Sequence, residues 1–421
     1  MKIDVFCEWG KQYGLGHLKR CENLIQIFQQ TFPMLHFHIT FHHLPSQIPT
    51  QAYDLVIIDS YLMESKFYYQ LSKLSKAMLC LDDFHRIHYP KKALILSPTL
   101  LSSSKYSGKD YVILNPIFQT SLSTQQTPNQ ILITPGGSDQ SSLIQSILDS
   151  LPSFFDPIII NPYFPKATYA NLSSKEICAL IDRSEYIITA GGGSLNEAIA
   201  RNKKIIAICI APNQKPQLNA YKNKIPVLFN PFSHLSSKLG QILKTTQPLH
   251  ISFGAKLPKL AQTLLYRSLQ LPHNIKPFTL LTRFEKKQVL KLRNQQEIRE
   301  ASFYPHLISL KEHLRFIDSL QPSDMYFAFF RGRHIAGVGS LCLTSTAQAT
   351  LSLYRDKKAK GFGNQILFFL TKIAQKLEIN TLTLQVLKSN QKAINFYQKH
   401  HFQITQENQN HFTMQKEIKN P

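Results

Sequence analysis

Short apolar runs alternate with stretches of helical periodicity from residue 1 to about residue 250. Most runs are continuous and rich in Val, Ile and Leu, which is typical of strands covered on both faces. The predicted strands are Lys2–Cys7, Asp54–Asp59, Ala77–Leu81, Ala93–Leu96, Tyr111–Leu114, Gln130–Thr134, Pro157–Ile160, Tyr186–Thr189 and Lys204–Ile210. The alternation predicts parallel α/β units. Because the polar stretch Gln119–Asn129 separates two strand and helix series, we predict two α/β halves, residues 1–122 and residues 123–272.

The pattern changes beyond Pro231. Amphipathic helices are predicted near Ser233–Leu243 and Lys256–Leu269, and the Pro-bounded polar segment Pro272–Pro277 then marks a domain boundary. Residues 277–421 predict a mixed α+β domain. Its predicted elements are a strand at Phe278–Leu281, helices at Glu285–Ile298 and Lys311–Leu320, alternating strands up to Tyr354, a helix at Gly361–Leu377, a strand at Thr381–Leu387 and a helix at Gln391–Lys399.

Composition supports a folded chain with more than one core, because 421 residues exceed the usual size of one domain. No run of eighteen apolar residues occurs, and the first residues form a strand-like run rather than a signal peptide. We therefore expect a cytoplasmic protein without a membrane segment. The six cysteines are scattered without a CxxC pair, so we expect reduced core residues and no metal site.

The formal net charge of +22 raises the possibility of a nucleic-acid partner. A nucleic-acid-binding protein would need a contiguous basic face interleaved with aromatic residues, and the sequence does not display one. The basic residues are shared between the two parts of the chain rather than gathered in a tail. We therefore expect small phosphate-bearing ligands and no nucleic acid.

A glycine-bearing turn, Gly14-Leu15-Gly16-His17, leads from the first strand into a helix. Exposed amides at such a turn can face an anion. His17 would lie in the first helical turn, where an imidazole can take a proton from water. The alternative is a helix-capping or solvated histidine.

The second half carries two similar turns after its strands. Gly136 and Gly137 follow one strand, and three glycines precede Ser194, Asn196 and Glu197 after another. Such turns can hold a diphosphate while the side chains reach sugar hydroxyls. The alternative is a pair of ordinary connections between strands and helices.

These motifs together resemble a known family. They are Gly14-x-Gly16-His17-x-x-Arg20, Ile58-Asp59-x-Tyr61, Leu81-Asp82-Asp83, Gly136-Gly137-Ser138-Asp139, Ser194-x-Asn196-Glu197-Ala198 and Asn213-Gln214. Over residues 1–270 the chain is similar to the UDP-sugar hydrolase of pseudaminic acid biosynthesis, a pathway that leads to flagellin glycosylation. The resemblance implies a GT-B-like pair of Rossmann domains and hydrolysis of UDP-2,4-diacetamido-2,4,6-trideoxy-β-L-altropyranose, without a metal.

The resemblance also implies roles for individual residues. His17 would activate the attacking water, Tyr61 would help to hold the sugar, and Asn196 and Glu197 would lie at the UDP. The other implied substrate-binding residues are Gly14, Gly16, Arg20, Gly136, Gly137, Ser194, Asn213 and Gln214. A glycosyltransferase of the same architecture is the alternative, since it binds UDP-sugar in the same cleft and differs in the attacking group.

A second phosphate-binding pattern lies in the C-terminal part. The basic turn before the helix Gly361–Leu377 can hold a pyrophosphate through exposed amides and lysine charge. Its residues are Lys358, Lys360, Gly361, Phe362, Gly363 and Asn364. Downstream, Asn390-x-x-Ala393-x-x-Phe396-Tyr397 with Phe402 resembles the signature of the GNAT acetyltransferases. The resemblance implies acetyl-CoA as co-substrate, with Tyr397 protonating the leaving thiolate and Asn390 binding the pantetheine or diphosphate arm; a packed aromatic is the alternative for Tyr397.

The C-terminal resemblance extends to the UDP-4-amino-sugar N-acetyltransferase of the same pathway, through Phe278–Leu281, Leu292–Asn294 and Glu312–Ile317. Arg293 is then a candidate contact for the nucleotide-sugar. The strand before the CoA loop lacks an acidic residue, so we expect a water relay at Thr350 rather than a carboxylate base. The two resemblances imply consecutive steps on one chain, and the remaining alternative is that one domain only binds its ligand.

Overall fold

The computed structural model describes residues 1–10, 15–48, 50–100, 102, 104–121, 125–170, 172–230 and 239–418. Two compact units divide the chain. The larger consists of Asp4–Phe28 and Ile39–Ala261, and the smaller of Met1–Ile3, Gln29–His38 and Gln262–Pro421. Nearly all of the two predicted N-terminal halves falls in the larger unit, and the three-part division at residues 122 and 277 stays a prediction. No helix in the described ranges is both long and apolar enough to cross a membrane.

The first sheet is built from β1 to β5 in the order β2-β1-β3-β4-β5. These strands are β1 (Lys2–Cys7), β2 (His38–His43), β3 (Tyr53–Asp59), β4 (Ser75–Leu81) and β5 (Leu94–Leu96), with helices α1 (Gly16–Thr31) and α2 (Ser65–Leu74). β3 pairs in parallel with β4, and β4 with β5. Leu55, Val56, Ile57 and Ile58 are all fully buried although they alternate between the faces. The central strand is therefore covered on both sides, as its continuous apolar run predicts.

The second sheet has the order β10-β9-β8-β6-β7, with β11 pairing to β9. Its strands are β6 (Thr127–Thr134), β7 (Asp156–Ile159), β8 (Ser184–Ala190), β9 (Lys203–Ile208), β10 (Val227–Leu228) and β11 (Pro248–Leu249). The helices are α3 (Ser141–Ser150), α4 (Ser174–Arg183), α5 (Gly193–Ala200), α6 (Lys215–Tyr221) and α7 (Leu257–Ser268). Pairing is parallel except for β11. The parallel α/β expectation is confirmed, and most of the predicted helix Ser233–Leu243 lies outside the described residues.

The strand predicted at Tyr111–Leu114 is wrong. Single turns of 3-10 helix occupy Lys109–Tyr111 and Pro116–Gln119. Val112, Leu114 and Phe118 are buried in the core that also holds helices α5 and α6 of the second sheet. The apolar run therefore reflects burial of side chains, not strand pairing.

The third sheet, in the smaller unit, has the order β12-β13-β14-β15-β16-β18-β17. Its strands are β12 (Ile275–Pro277), β13 (Asp324–Arg331), β14 (His334–Leu343), β15 (Gln348–Arg355), β16 (Thr381–Leu387), β17 (Gln403–Glu407) and β18 (His411–Glu417). The helices are α8 (Arg283–Arg293), α9 (Gln296–Glu300), α10 (Leu310–Ser319), α11 (Phe362–Lys376) and α12 (Gln391–Lys399). Pairing is antiparallel except between β15 and β16, which confirms the mixed α+β expectation.

Three predictions near the start of this domain need correction. Phe278–Leu280 is a turn of 3-10 helix, and the strand is β12, which precedes it inside the segment predicted as a linker. The helix predicted at Glu285–Ile298 is two helices, because the chain leaves helical geometry at Asn294 and Gln295. Phe278 is buried under the sheet, which explains why its run is apolar without pairing.

Candidate active sites

The His17 turn lies where the first sheet places the ends of its strands. Gly16 and His17 open α1, while Gly14 lies outside the described residues. Glu8 follows β1 and Asp59 ends β3, and the carboxyl ends of neighbouring parallel strands meet at one edge of a sheet. The fold therefore brings a histidine from a helix start against two carboxylates from strand ends.

The imidazole of His17 lies between these two carboxylates. Its Nδ1 is 2.7 Å from Oδ1 of Asp59, a hydrogen bond, and its Nε2 is 3.6 Å from Oε2 of Glu8. Its ring meets the ring of Tyr61 edge to face at 4.7 Å. The side chain of His17 is 13% exposed, whereas Asp59 is fully buried. The predicted base is thus partly accessible and held from one side.

Arg20 links Asp59, the carboxylate that holds His17, to a further carboxylate, Asp83. Its guanidinium donates to both oxygens of Asp59 at 2.8 and 2.6 Å, and to Asp83 at 2.9 Å. Tyr61 also donates its hydroxyl to Asp83, at 2.5 Å. Burial alone would raise the pKa of Asp59, but Arg20 and the hydrogen bond from His17 outweigh it and hold that pKa below its usual value. Burial raises the pKa of Tyr61, so the phenol stays protonated.

Asp59 and Asp83 stand in the sequence motifs without a predicted role, and Glu8 was not predicted from the sequence. Glu8 is buried and accepts hydrogen bonds from the Ser60 hydroxyl and from the backbone amides of Tyr61 and Leu62. An acidic residue directly after a buried strand was the available signal.

The turns of the second sheet are positioned by their own hydrogen bonds. Gly136 has a φ of 104°, a left-handed conformation that favours glycine, and its carbonyl accepts from the side-chain amide Nδ2 of Asn161 at 3.1 Å. Gly137 follows it in the same turn. Gly191 lies so close to Leu218 that a Cβ would come within 2.7 Å of that side chain. The three-glycine turn is therefore partly a packing requirement.

The predicted UDP-binding side chains fall into two groups. Asn196 is buried and accepts from the Tyr221 hydroxyl at 3.0 Å, and Gln214 accepts from the Ile210 amide at 3.1 Å, so both brace the loops. Ser194 lies in the first turn of α5 and Asn213 is exposed. Burial raises the pKa of Glu197 to about 7, and no group within the described ranges offsets the effect.

The third sheet opens between β15 and β16. The two strands pair only from Gln348 with Thr381 to Thr350 with Thr383, yet both continue for several residues beyond the last pair. Their facing backbone edges therefore separate into a wedge. Thr350 contacts the hydroxyl of Thr383 at 3.3 Å at the point where the wedge begins.

The predicted pyrophosphate turn lies directly before α11. Gly361 is its N-cap with a φ of 81°, again a left-handed conformation. Lys358 and Lys360 are exposed, while Phe362 and Gly363 form the first turn of the helix. The side chain of Asn364 accepts from His400 at 2.9 Å. The turn therefore presents a helix start flanked by exposed cationic side chains.

Tyr397 lies on α12 with its ring packed edge to face against Phe396 and Phe402. Burial raises the pKa of Tyr397, and its hydroxyl has no hydrogen-bond partner among the described residues. Asn390 is the N-cap of α12 and accepts from the Ala393 amide at 3.1 Å. Arg293 donates to the Tyr304 carbonyl at 3.1 Å, and its buried Nη1 has no protein partner in the described ranges.

These features of the smaller unit define an acyltransferase fold of the GNAT class, with a splayed parallel strand pair and a glycine turn opening the following helix. Residues 280–418 match the family described as the acetyltransferase (GNAT) domain. Acetyltransferase PseH of Campylobacter jejuni is 33% identical over 141 residues, which are 33% of this chain and 89% of that protein. The chain therefore belongs to the GNAT acetyltransferases, in the family of PseH, and is an enzyme.

Two further comparisons bear on the chain. A Helicobacter pylori protein named pseudaminic acid cytidylyltransferase and UDP-2,4-diacetamido-2,4,6-trideoxy-beta-L-altropyranose hydrolase is 26% identical over 245 residues, 53% of this chain. The match covers 47% of that protein, so the chain spans about half of its length. The crystal structure of C. jejuni PseH with acetyl coenzyme A covers 34% of this chain and 98% of PseH, at 29% identity and a TM-score of 0.29. No cluster of candidate metal ligands occurs in the described part of the chain.

Proposed function

We propose that the chain catalyses two steps of pseudaminic acid biosynthesis in the cytoplasm. It transfers acetyl from acetyl-CoA to the 4-amino group of a UDP-4-amino-4,6-dideoxy-N-acetyl-altrosamine-like sugar, and it hydrolyses the resulting UDP-diacetamido sugar to free sugar and UDP. Residues 1–122 and 123–272 form a GT-B-like pair of Rossmann domains for hydrolysis, and residues 277–421 perform acetylation. The observation that carries the hydrolase half is His17 held by Asp59 at the strand ends.

The proposed acetyltransferase activity rests on the wedge between β15 and β16 and on the glycine turn before α11. Acetyl-CoA supplies the thioester; its pyrophosphate fits the amides at Gly361 and Gly363 with Lys358 and Lys360 adding charge, and its pantetheine fits the open edges of β15 and β16. The amine nitrogen attacks the acetyl carbonyl, gives up its surplus proton to water at Thr350, and the carbon–sulfur bond breaks. Tyr397 gives its proton to the departing thiolate and regains one from solvent, and its raised pKa keeps the phenol protonated before the step.

The hydrolase half uses His17 as general base. The imidazole takes a proton from water, the hydroxide attacks the anomeric carbon, and the bond from that carbon to the UDP oxygen breaks. UDP leaves with the electron pair, and the proton stays on His17 until solvent removes it. The loops at Gly136, Gly137, Ser194, Glu197 and Asn213 then hold UDP, with Asn196 and Gln214 bracing them.

The proposal is tested by incubating the full chain with acetyl-CoA and a UDP-4-amino-4,6-dideoxy sugar of the altro series, while free thiol and released UDP are followed separately. We expect both signals, with UDP release dependent on prior acetylation. Thiol without UDP would overturn the hydrolase half and direct attention to glycosyl transfer or to a domain that only binds its ligand. UDP without thiol would overturn the acetyltransferase half.

A further inference from the structure

The two nitrogens of His17 have different surroundings. Nδ1 is within hydrogen-bond distance of the fully buried carboxylate of Asp59, whereas Nε2 is 3.6 Å from Glu8, too far for a hydrogen bond. Both oxygens of Glu8 are already engaged by Ser60 and by two backbone amides. Glu8 therefore does not occupy Nε2, and among the described residues the imidazole has one nitrogen held by a hydrogen bond and one without such a partner.

Asp59 is itself held from the opposite side. The Nε–H group of Arg20 donates a hydrogen bond to one oxygen of Asp59, and the Nη2–H group donates to the other. The carboxylate therefore cannot rotate without losing a charge-assisted hydrogen bond. Asp83 accepts the remaining bond from Arg20 and a bond from Tyr61. A chain of partly buried contacts thus runs from Tyr61 through Asp83, Arg20 and Asp59 to His17.

We propose that Asp59 is a positioning residue for His17, and that Arg20 acts through Asp59 rather than by contact with substrate. Asp59 accepts the Nδ1 proton of neutral His17, so the lone pair stays on Nε2, where water is deprotonated. When His17 gains the proton, the negative charge of Asp59 stabilises the imidazolium. This inference rests on the proposed hydrolysis for its kinetic consequence, but the tautomer of His17 does not depend on it.

The decisive variant is Asp59→Asn in the full chain. An asparagine amide donates to Nδ1 and drives the proton to Nε2, so we expect UDP release to slow by about 10²–10⁴-fold with little change in KM, as for loss of the aspartate in other Asp–His pairs. Acetyl transfer should stay unchanged. In ¹⁵N-labelled protein, NMR should show the proton of neutral His17 on Nδ1 in the parent chain and on Nε2 in the variant.

The chain provides a matched control in the same sheet. Asp4 is buried and lies 2.8 Å from Nε2 of His42, an Asp–His pair between β1 and β2 that the proposed reaction does not use. Asp4→Asn should leave UDP release and the His17 signals as they are. Arg20→Lys, which keeps the charge but loses the two-point contact, should slow UDP release without raising KM and serves if Asp59→Asn does not fold.

Each outcome has one meaning. Asp59→Asn with UDP release within threefold of the parent chain, or with the Nδ1 tautomer retained, would overturn the positioning role. A raised KM in Arg20→Lys with unchanged kcat would show that Arg20 contacts the substrate directly, which would overturn its proposed action through Asp59. A parent chain that releases no UDP would refute the proposed hydrolysis alone, since the ¹⁵N signals would still test the Asp59 contact.

Discussion

The site around His17 and the site around Tyr397 are built from opposite materials. The first is a set of charged side chains bonded to one another, with Arg20 shared between the buried Asp59 and the partly buried Asp83. The second consists of a helix start, two open strand edges and a phenol that has no hydrogen-bond partner in the part of the chain that the structure describes. The contrast follows from what each proposed reaction requires the protein to supply. A hydrolase has to make a nucleophile from water, whereas an acetyltransferase receives an activated acyl group and mainly has to hold it.

The contrast also predicts different sensitivity to mutation. Removing one member of a buried charge network leaves its partner unpaired, which costs more than the contact itself contributed. A site made of backbone amides depends instead on conformation. The following variants test this difference, from the largest expected effect to the smallest.

His17→Ala should separate the two activities most strongly. Loss of a general base typically lowers the rate by about 10²–10⁴-fold, so UDP release should fall by this factor while thiol release is unchanged. The assay is the two-signal incubation, with His42→Ala as the control histidine from β2. Equal loss of both activities in a folded variant would contradict the modular assignment.

Tyr397→Phe should impair only acetyl transfer, with a smaller effect, and should leave UDP release from an already acetylated UDP-sugar unchanged. The ring keeps its packing against Phe396 and Phe402, but the proton for the thiolate is lost, so kcat for acetyl transfer should fall by about 10²-fold with KM for acetyl-CoA little changed. Steady-state thiol release measures both constants. An unchanged kcat would make Tyr397 a packed aromatic only.

Gly361→Ala tests whether the turn before α11 acts through its conformation. An alanine at a φ of 81° costs about 1 kcal/mol, and the misplaced amides should raise KM for acetyl-CoA by about tenfold. Gly332→Ala, at a φ of 60° in the β13–β14 hairpin, is the matched control because it carries the same strain away from the turn. Both variants should lower Tm, and only the first should raise KM.

Glu197→Gln should have the smallest effect, on the pH dependence of stability. Because burial raises the pKa of Glu197 to about 7 in the folded chain, the folded state binds more protons than the unfolded state from the ordinary glutamate pKa up to about 7. The free energy of unfolding contributed by this group is therefore present at low pH and lost as pH rises through 7. Glu197→Gln should raise Tm at pH 8 and leave it unchanged near pH 4. Glu185→Gln is the contrast, because it loses the ion pair with Lys204 that lowers the pKa of Glu185 and should lower Tm at pH 8.

The sequence predicted the elements whose patterns are local. Thr381–Leu387 and Gln391–Lys399 agree to the residue, since strand and helix periodicity are both strong there. It missed β17 and β18, where β17 is exposed along its whole length and shows no apolar alternation. It misread Tyr111–Leu114 because periodicity cannot tell a run buried by pairing from one buried by packing.

The site residues show the same division between features that are local in the sequence and features that depend on tertiary structure. His17 and Tyr397 were predicted from motifs, but the contacts that hold them were not, because Glu8, Asp59 and Asp83 converge only through the strand order of the sheet. Asn196 shows the reverse: its motif suggests a ligand contact, yet its carbonyl is satisfied by Tyr221. Spacing along the chain identifies candidate residues, while tertiary pairing decides which polar atoms remain free.

The wedge between β15 and β16 has a consequence for handling the protein. Unpaired strand edges are templates for pairing with another chain, and folded proteins usually cover them. Here the facing edges of β15 and β16 form the cleft and stay unpaired, so the proposed co-substrate also takes the place of a missing strand. We therefore expect preparations without CoA to aggregate faster on storage than preparations with it.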